Sequence, residues 1–209
     1  MIEIEKKFTL REGDRERLLK GAEFVKKLVV HDTYYDTKDY SLAKKDWWLR
    51  FRNGNFELKV SFRIPSEKAK YAPTQYRELE TDEEIRKALG IPASPAGGVS
   101  QKPLKEALPE AGYQEAFSLT TIREKYRKEG FTIDLDSVDY GYELAEIELM
   151  VEDENQIDEA DEKIRAFGKK QGLSSEATRG KVLEYMRRFQ PTQYQALIDA
   201  WHDANLLRE

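Results

Sequence analysis

Six short stretches carry charged residues at every second position, and together they could hold a metal and a phosphate chain. "MIEIEKKF" carries Glu3, Glu5 and Lys7; "FTIDLD" carries Asp134 and Asp136; "AEIELMV" carries Glu146 and Glu148. "WWLRFR" carries Arg50 and Arg52 beside Trp48, "FELKVSFR" carries Glu57 and Lys59, and "TTIREKYR" carries Arg123, Lys125 and Arg127. Successive side chains of an extended chain point to opposite faces, so each stretch gathers its charges on one face and apolar residues such as Ile4, Leu49, Leu58 and Ile147 on the other. An antiparallel sheet with one wet face explains any single strand of this kind. The signs, however, are segregated: acids on 3–5, 134–136 and 146–148, bases on 50–52 and 123–127. A closed antiparallel barrel with helices outside would turn all of these charges inward. An empty, dry lumen of that kind costs several kcal/mol per unpaired group. Water, a polyanion and a divalent metal together remove that cost. Arg and Lys grip phosphate oxygens, and clustered carboxylates hold Mg²⁺ through oxygen and retained water.

The elements that must place these residues follow from the pattern. After the opening strand, "DRERLLKGAEF" predicts a short helix, and "VVHDTYYDT" a strand that puts Tyr34 on one face with Asp32 and Asp36. "NGN" joins "WWLRFR" to "FELKVSFR" as a hairpin. Loops are expected over 64–75 and 92–103, with the strand "YRELET" and the helix "TDEEIRKALG" between them. "LKEALPEAG" reads as helical. Three strands follow in "SLTTIREKYRKEG", "FTIDLDS" and "YELAEIELMVED", and then helices to the end, about 155–207.

Composition narrows the function. The 209 residues are 39% hydrophobic and 36% charged, with eleven Tyr, nine Phe and three Trp for a core. A net charge of −5 supplies no bulk positive field for nucleic acid or an anionic membrane. The chain has no cysteine and only His31 and His202, which excludes disulfides, thiolate sites and a cysteine nucleophile and disfavours a His-rich zinc site. The start lacks an apolar leader core and no run reaches membrane-spanning length, so a soluble, cytoplasmic protein is expected.

"EIEKKF" matches the ExExK motif of the CYTH superfamily, the triphosphate tunnel metalloenzymes. "HDTYYDTKDYSLAKKDWWLRFRNGNFELKV", "YRELET", "DLDSVDYGYELAEIEL" and "KVLEYMRRFQPTQYQALI" resemble, in the same order, stretches of the animal thiamine triphosphatases. The resemblance is weakest over 61–74 and 91–118. It implies an α+β fold, an eight-stranded antiparallel β-barrel forming a triphosphate tunnel, in a single CYTH domain over 1–209 with the C-terminal helices packed on the barrel. It implies Mg²⁺ held by Glu3, Glu5, Asp134, Glu146 and Glu148, and a triphosphate gripped by Lys7, Arg50, Arg52, Lys59, Arg123 and Lys181. Trp48 would pack on the thiamine end, and Tyr34 with Lys59 would activate water, the proton acceptor being left open between them. The implied reaction is hydrolysis of thiamine triphosphate to thiamine diphosphate and phosphate by a monomer. Rival readings are an inorganic tripolyphosphatase, a cyclase acting on ATP, or a non-catalytic sensor of polyphosphorylated ligands. Lys181 stands where an exposed helix lysine is the ordinary pattern, and Glu78 and Glu80 fit either tunnel lining or partners for the bases.

Overall fold

The computed structural model describes residues 2–61, 74–92, 102–174, 176 and 178–203. Its strands are β1 (Ile2–Phe8), β2 (Glu23–Thr37), β3 (Trp47–Arg52), β4 (Asn55–Ser61), β5 (Thr74–Leu79), β6 (Tyr113–Lys128), β7 (Phe131–Val138) and β8 (Tyr142–Val151). They close into an antiparallel barrel in the order β1-β5-β4-β3-β2-β6-β7-β8. The helices are α1 (Asp14–Leu19), α2 (Asp82–Leu89), α3 (Leu104–Glu110), α4 (Ile157–Lys170), α5 (Lys181–Phe189) and α6 (Pro191–Asp203).

Local chemistry sets these elements. The β3–β4 hairpin turns on two residues, Asn53 and Gly54, at φ 50° and 91°, with Arg52 paired to Asn55 across it. Left-handed backbone at both central positions matches the strand twist and selects Asn-Gly. At α2, Thr81 and Glu84 form a reciprocal capping box at the start. The helix expected over "DRERLLKGAEF" stops at Leu19, and β2 begins at Glu23, well before the expected strand. Pairing of β2 beside the long β6 overrides the weak helical preference of that segment. Most of the two loops expected over 64–75 and 92–103 lies outside the described residues, as do the last residues of the expected helical tail.

The described residues form two compact units, one of 2–30, 74–76 and 119–203 and the other of 31–61, 77–92 and 102–118. In the first, Ile4, Phe8, Ile133, Leu135, Ala145 and Ile147 of the sheet bury against Ile157, Ala160, Ile164 and Phe167 of α4. The approach is close: a Cβ at Gly168 would lie 2.8 Å from the Phe8 ring. In the second, Tyr35, Leu49, Phe56 and Leu58 bury against Ile85 of α2 and Leu104, Ala107 and Leu108 of α3. Each fully buried side chain of this kind contributes about 1.5–3 kcal/mol. In both units the helices therefore claim the apolar face of the strands and leave the charged face on the other side.

Candidate active site

The first unit assembles an acid-rich face. Antiparallel pairing of β1 with β8 sets Glu5 opposite Glu148 and Lys7 opposite Glu146, and β7 sets Asp134 opposite Glu146. On β6, Arg123 stands opposite Asp136 and Lys125 opposite Asp134. Arg123 binds three carboxylates at once: Nε and Nη2 donate to Asp136 at 2.6 Å, Nη1 to Asp134 at 2.5 Å and Nη2 to Glu146 at 2.5 Å. Lys125 Nζ lies 2.7 Å from Asp134 and 3.5 Å from Glu148. Lys7 pairs with Glu5 and lies 3.6 Å from Glu146. Lys181, the first residue of α5, is buried rather than exposed and donates to Asp136 Oδ2 at 2.8 Å. Burial, with Arg123 close by, holds its ammonium below the ordinary lysine range against the pull of Asp136 and Glu146.

Among the described residues, Glu3, Glu5, Asp134, Asp136, Glu146 and Glu148 share this face with Lys7, Arg123, Lys125 and Arg127, and Lys181 reaches it from α5. Oxygens of Glu3, Glu5 and Glu148 lie within 4.8 Å of one another, and so do those of Asp134, Glu146 and Glu148. Glu148 belongs to both groups. Burial, with Asp134 and Glu3 beside it, pushes its carboxyl up to about 8. Crowded carboxylates that resist sharing negative charge are what a dication relieves, and an all-oxygen donor set suits a hard ion such as Mg²⁺. The residues fit that metal.

The second unit assembles a face of ion pairs. Pairing sets Tyr34 opposite Arg50, Asp32 opposite Arg52, Arg50 opposite Glu57 and Trp48 opposite Lys59. Arg52 grips Asp32 with two bonds, Nε at 2.5 Å and Nη2 at 2.6 Å. Arg50 Nε donates to Glu57 at 2.7 Å, and Lys59 Nζ lies 2.9 Å from Glu78. Burial alone would raise the Glu78 carboxyl, but Lys59, Arg50 and Arg52 prevail and hold it below its ordinary value. Tyr34 is 4% exposed and stacks on Phe117, ring centres 4.9 Å apart. Its hydroxyl is raised above the ordinary phenol range by burial and then by Asp32, which outweigh Arg50 and Arg52. The hydroxyl of Tyr34 is thus less acidic than an ordinary phenol, with Arg50 as its hydrogen-bond partner. Trp47 packs toward the second core, whereas Trp48 shares its face with Arg50 and Arg52.

A model of the CYTH domain matches residues 1–180. The chain belongs to the CYTH family. It is 32% identical to human thiamine-triphosphatase over 212 residues, covering 95% of this chain and 90% of that one. The thiamine-triphosphatase of Macaca fascicularis is 31% identical over the same shares. Among solved structures, the PH1819 protein of Pyrococcus horikoshii superposes with a TM-score of 0.64 at 26% identity, covering 89% of this chain and 99% of that one.

The site residues expected from the CYTH resemblance lie on the charged strand faces, except Lys181, which reaches the first unit's face from the start of α5. Glu3, Glu5, Lys7, Arg123, Asp134, Glu146, Glu148 and Lys181 meet in the first unit, and Tyr34, Trp48, Arg50, Arg52 and Lys59 belong to the second. Residues the expectation left without a role are the counter-charges: Asp136 under Arg123 and Lys181, Asp32 under Arg52, Glu57 under Arg50. Alternation marks Asp136, Asp32 and Glu57 as members of the charged faces; only register tells which cation each serves. Asp46, which accepts from the Trp48 indole, lies in a turn where no periodicity points to it.

Proposed function

We propose that this CYTH protein hydrolyses thiamine triphosphate to thiamine diphosphate and phosphate with Mg²⁺. The observation that carries the reading is the pair of acid groups converging on Glu148, on a face that also bears Arg123 and Lys7. Thiamine as the bearer of the triphosphate is supported by the relatives named above and by Trp48, an indole on the face that carries Arg50 and Arg52.

In this reading Glu3, Glu5, Asp134, Glu146 and Glu148 hold the metal. Mg²⁺ supplies neutralisation of the phosphate oxygens and of the charge that develops on the leaving diphosphate. The chain's own groups do the rest. Each unit offers three cations to phosphate oxygens, Lys7, Arg123 and Lys181 in the first and Arg50, Arg52 and Lys59 in the second, and such contacts hold a phosphate chain in line for water at the terminal phosphorus. Asp32, Glu57 and Glu78 keep the second unit's cations ordered until phosphate competes for them. Tyr34 donates a hydrogen bond and so orients the water or the phosphate it attacks; Lys59 offsets negative charge beside it. Trp48 stacks on the thiamine rings, one of them cationic. Phosphate release from thiamine triphosphate, ATP and inorganic tripolyphosphate, each with Mg²⁺ and with excess EDTA, tests this directly. Preference for thiamine triphosphate that vanishes with EDTA supports it; a preference for either other substrate rejects the thiamine assignment.

A further inference from the structure

The Trp48 indole N–H donates to Asp46 Oδ1 at 3.0 Å. Asp46 is itself tightly held. It is 2% exposed, and its backbone is left-handed at φ 59°, ψ 38°. Its N–H closes on the Ala43 carbonyl at 2.8 Å, and the next N–H, of Trp47, closes on Leu42 at 3.0 Å. The carboxylate is thus a buried acceptor on the turn that opens β3. An indole on two rotatable bonds would otherwise share its population among several staggered orientations. A hydrogen bond to a buried acceptor selects one of them. The backbone conformation explains the residue type as well, since among side-chain-bearing residues only Asn and Asp adopt it readily.

We propose that Asp46 is a specificity-determining positioning residue, which fixes the plane of the Trp48 indole for the thiamine end of the substrate. The proposal rests on the reading of Trp48 as the thiamine contact. The phosphate-binding groups see only what thiamine triphosphate and tripolyphosphate share, so a loosened indole weakens one substrate selectively. The effect falls mainly on KM, because Trp48 holds a part of the substrate that does not react.

The test compares kcat/KM for thiamine triphosphate and for inorganic tripolyphosphate in the full chain. Asp46→Gly, which accepts the left-handed backbone, should lower the ratio of the two by about tenfold. Asp46→Asn keeps an acceptor oxygen and the conformation and should stay within about threefold of the parent. Replacing Trp48 with benzothienylalanine keeps the bicyclic ring and the turn but removes the N–H, and should reproduce the glycine result even if Asp46→Gly does not fold. Without substrate, the Trp48 indole N–H resonance should lose its protection from exchange in Asp46→Gly and keep it in Asp46→Asn. An unchanged ratio in both Asp46→Gly and the benzothienyl protein overturns the proposal. So does Asp46→Asn performing as badly as the glycine variant, which would assign the effect to charge. If Trp48→Ala shifts the ratio and these variants do not, only the positioning role fails; if Trp48→Ala leaves it unmoved, the thiamine contact itself is wrong and the proposal falls with it.

Discussion

The two charged faces are written in the same alternating pattern but pair their charges differently. In the second unit Arg50, Arg52 and Lys59 each have a carboxylate partner, Glu57, Asp32 and Glu78 respectively. In the first unit two overlapping acid groups converge on Glu148, and that carboxyl is pushed up to about 8 by burial and its neighbours. In the proposed reading, the difference lets one kind of strand serve two ligands. A face whose carboxylates crowd one another attracts a dication. A face of strong ion pairs waits for an anion that can take over the cations. Buried pairs are costly to break one-sidedly, so the second unit's acids keep its cations ordered in the absence of phosphate.

The largest expected effect comes from emptying the first face. Excess EDTA should abolish turnover, and Mg²⁺ should restore it; full activity in EDTA breaks the contrast at once. Next comes Lys59→Ala on the second face, expected to lower kcat by about 10²–10⁴-fold, as loss of a positioned catalytic group does. Tyr34→Phe keeps the ring stacked on Phe117 and removes one donor, so a loss of roughly 10–100-fold is expected. If Tyr34→Phe instead exceeds Lys59→Ala, Tyr34 does more than donate. Steady-state kinetics of the two variants decide the order.

Alternation makes part of these faces legible in the sequence. Period two exposes the strands, the apolar sides and the charged sides, because side-chain direction along a strand follows from spacing alone. Pairing does not follow from it. Arg123 reaches Asp136 only through the β6–β7 register, and Lys181 reaches the same carboxylate from 45 residues away, at the start of a helix whose pattern suggests exposure. The early start of β2 at Glu23 is set by its neighbour β6, which a local reading cannot weigh. Asp46 escapes for a further reason: its contact depends on a turn geometry, and turns carry no period.

Smaller effects sharpen the same contrast. Trp48→Ala should lower the kcat/KM ratio of thiamine triphosphate to tripolyphosphate by about tenfold, the worth of a stacked ring with a cationic contact. No acid of the first unit should change that ratio, because metal and phosphate are common to both substrates. Smallest is Gly54→Ala in the β3–β4 turn, where φ is 91°. It should cost about 1–2 kcal/mol of stability, read from denaturant unfolding, since a Cβ is strained there.

The central claim is that the metal belongs to the first face. Titration of Mn²⁺ as a spectroscopic substitute for Mg²⁺, with the free ion followed by EPR and no substrate present, tests it most directly in two folded variants. Glu148→Gln, which breaks both acid groups, should weaken binding by at least about tenfold, the value of one lost charged ligand. Glu57→Gln, the same substitution on the second face, should leave the affinity as in the parent. Equal losses in the two variants, or a larger loss in Glu57→Gln, would contradict the account.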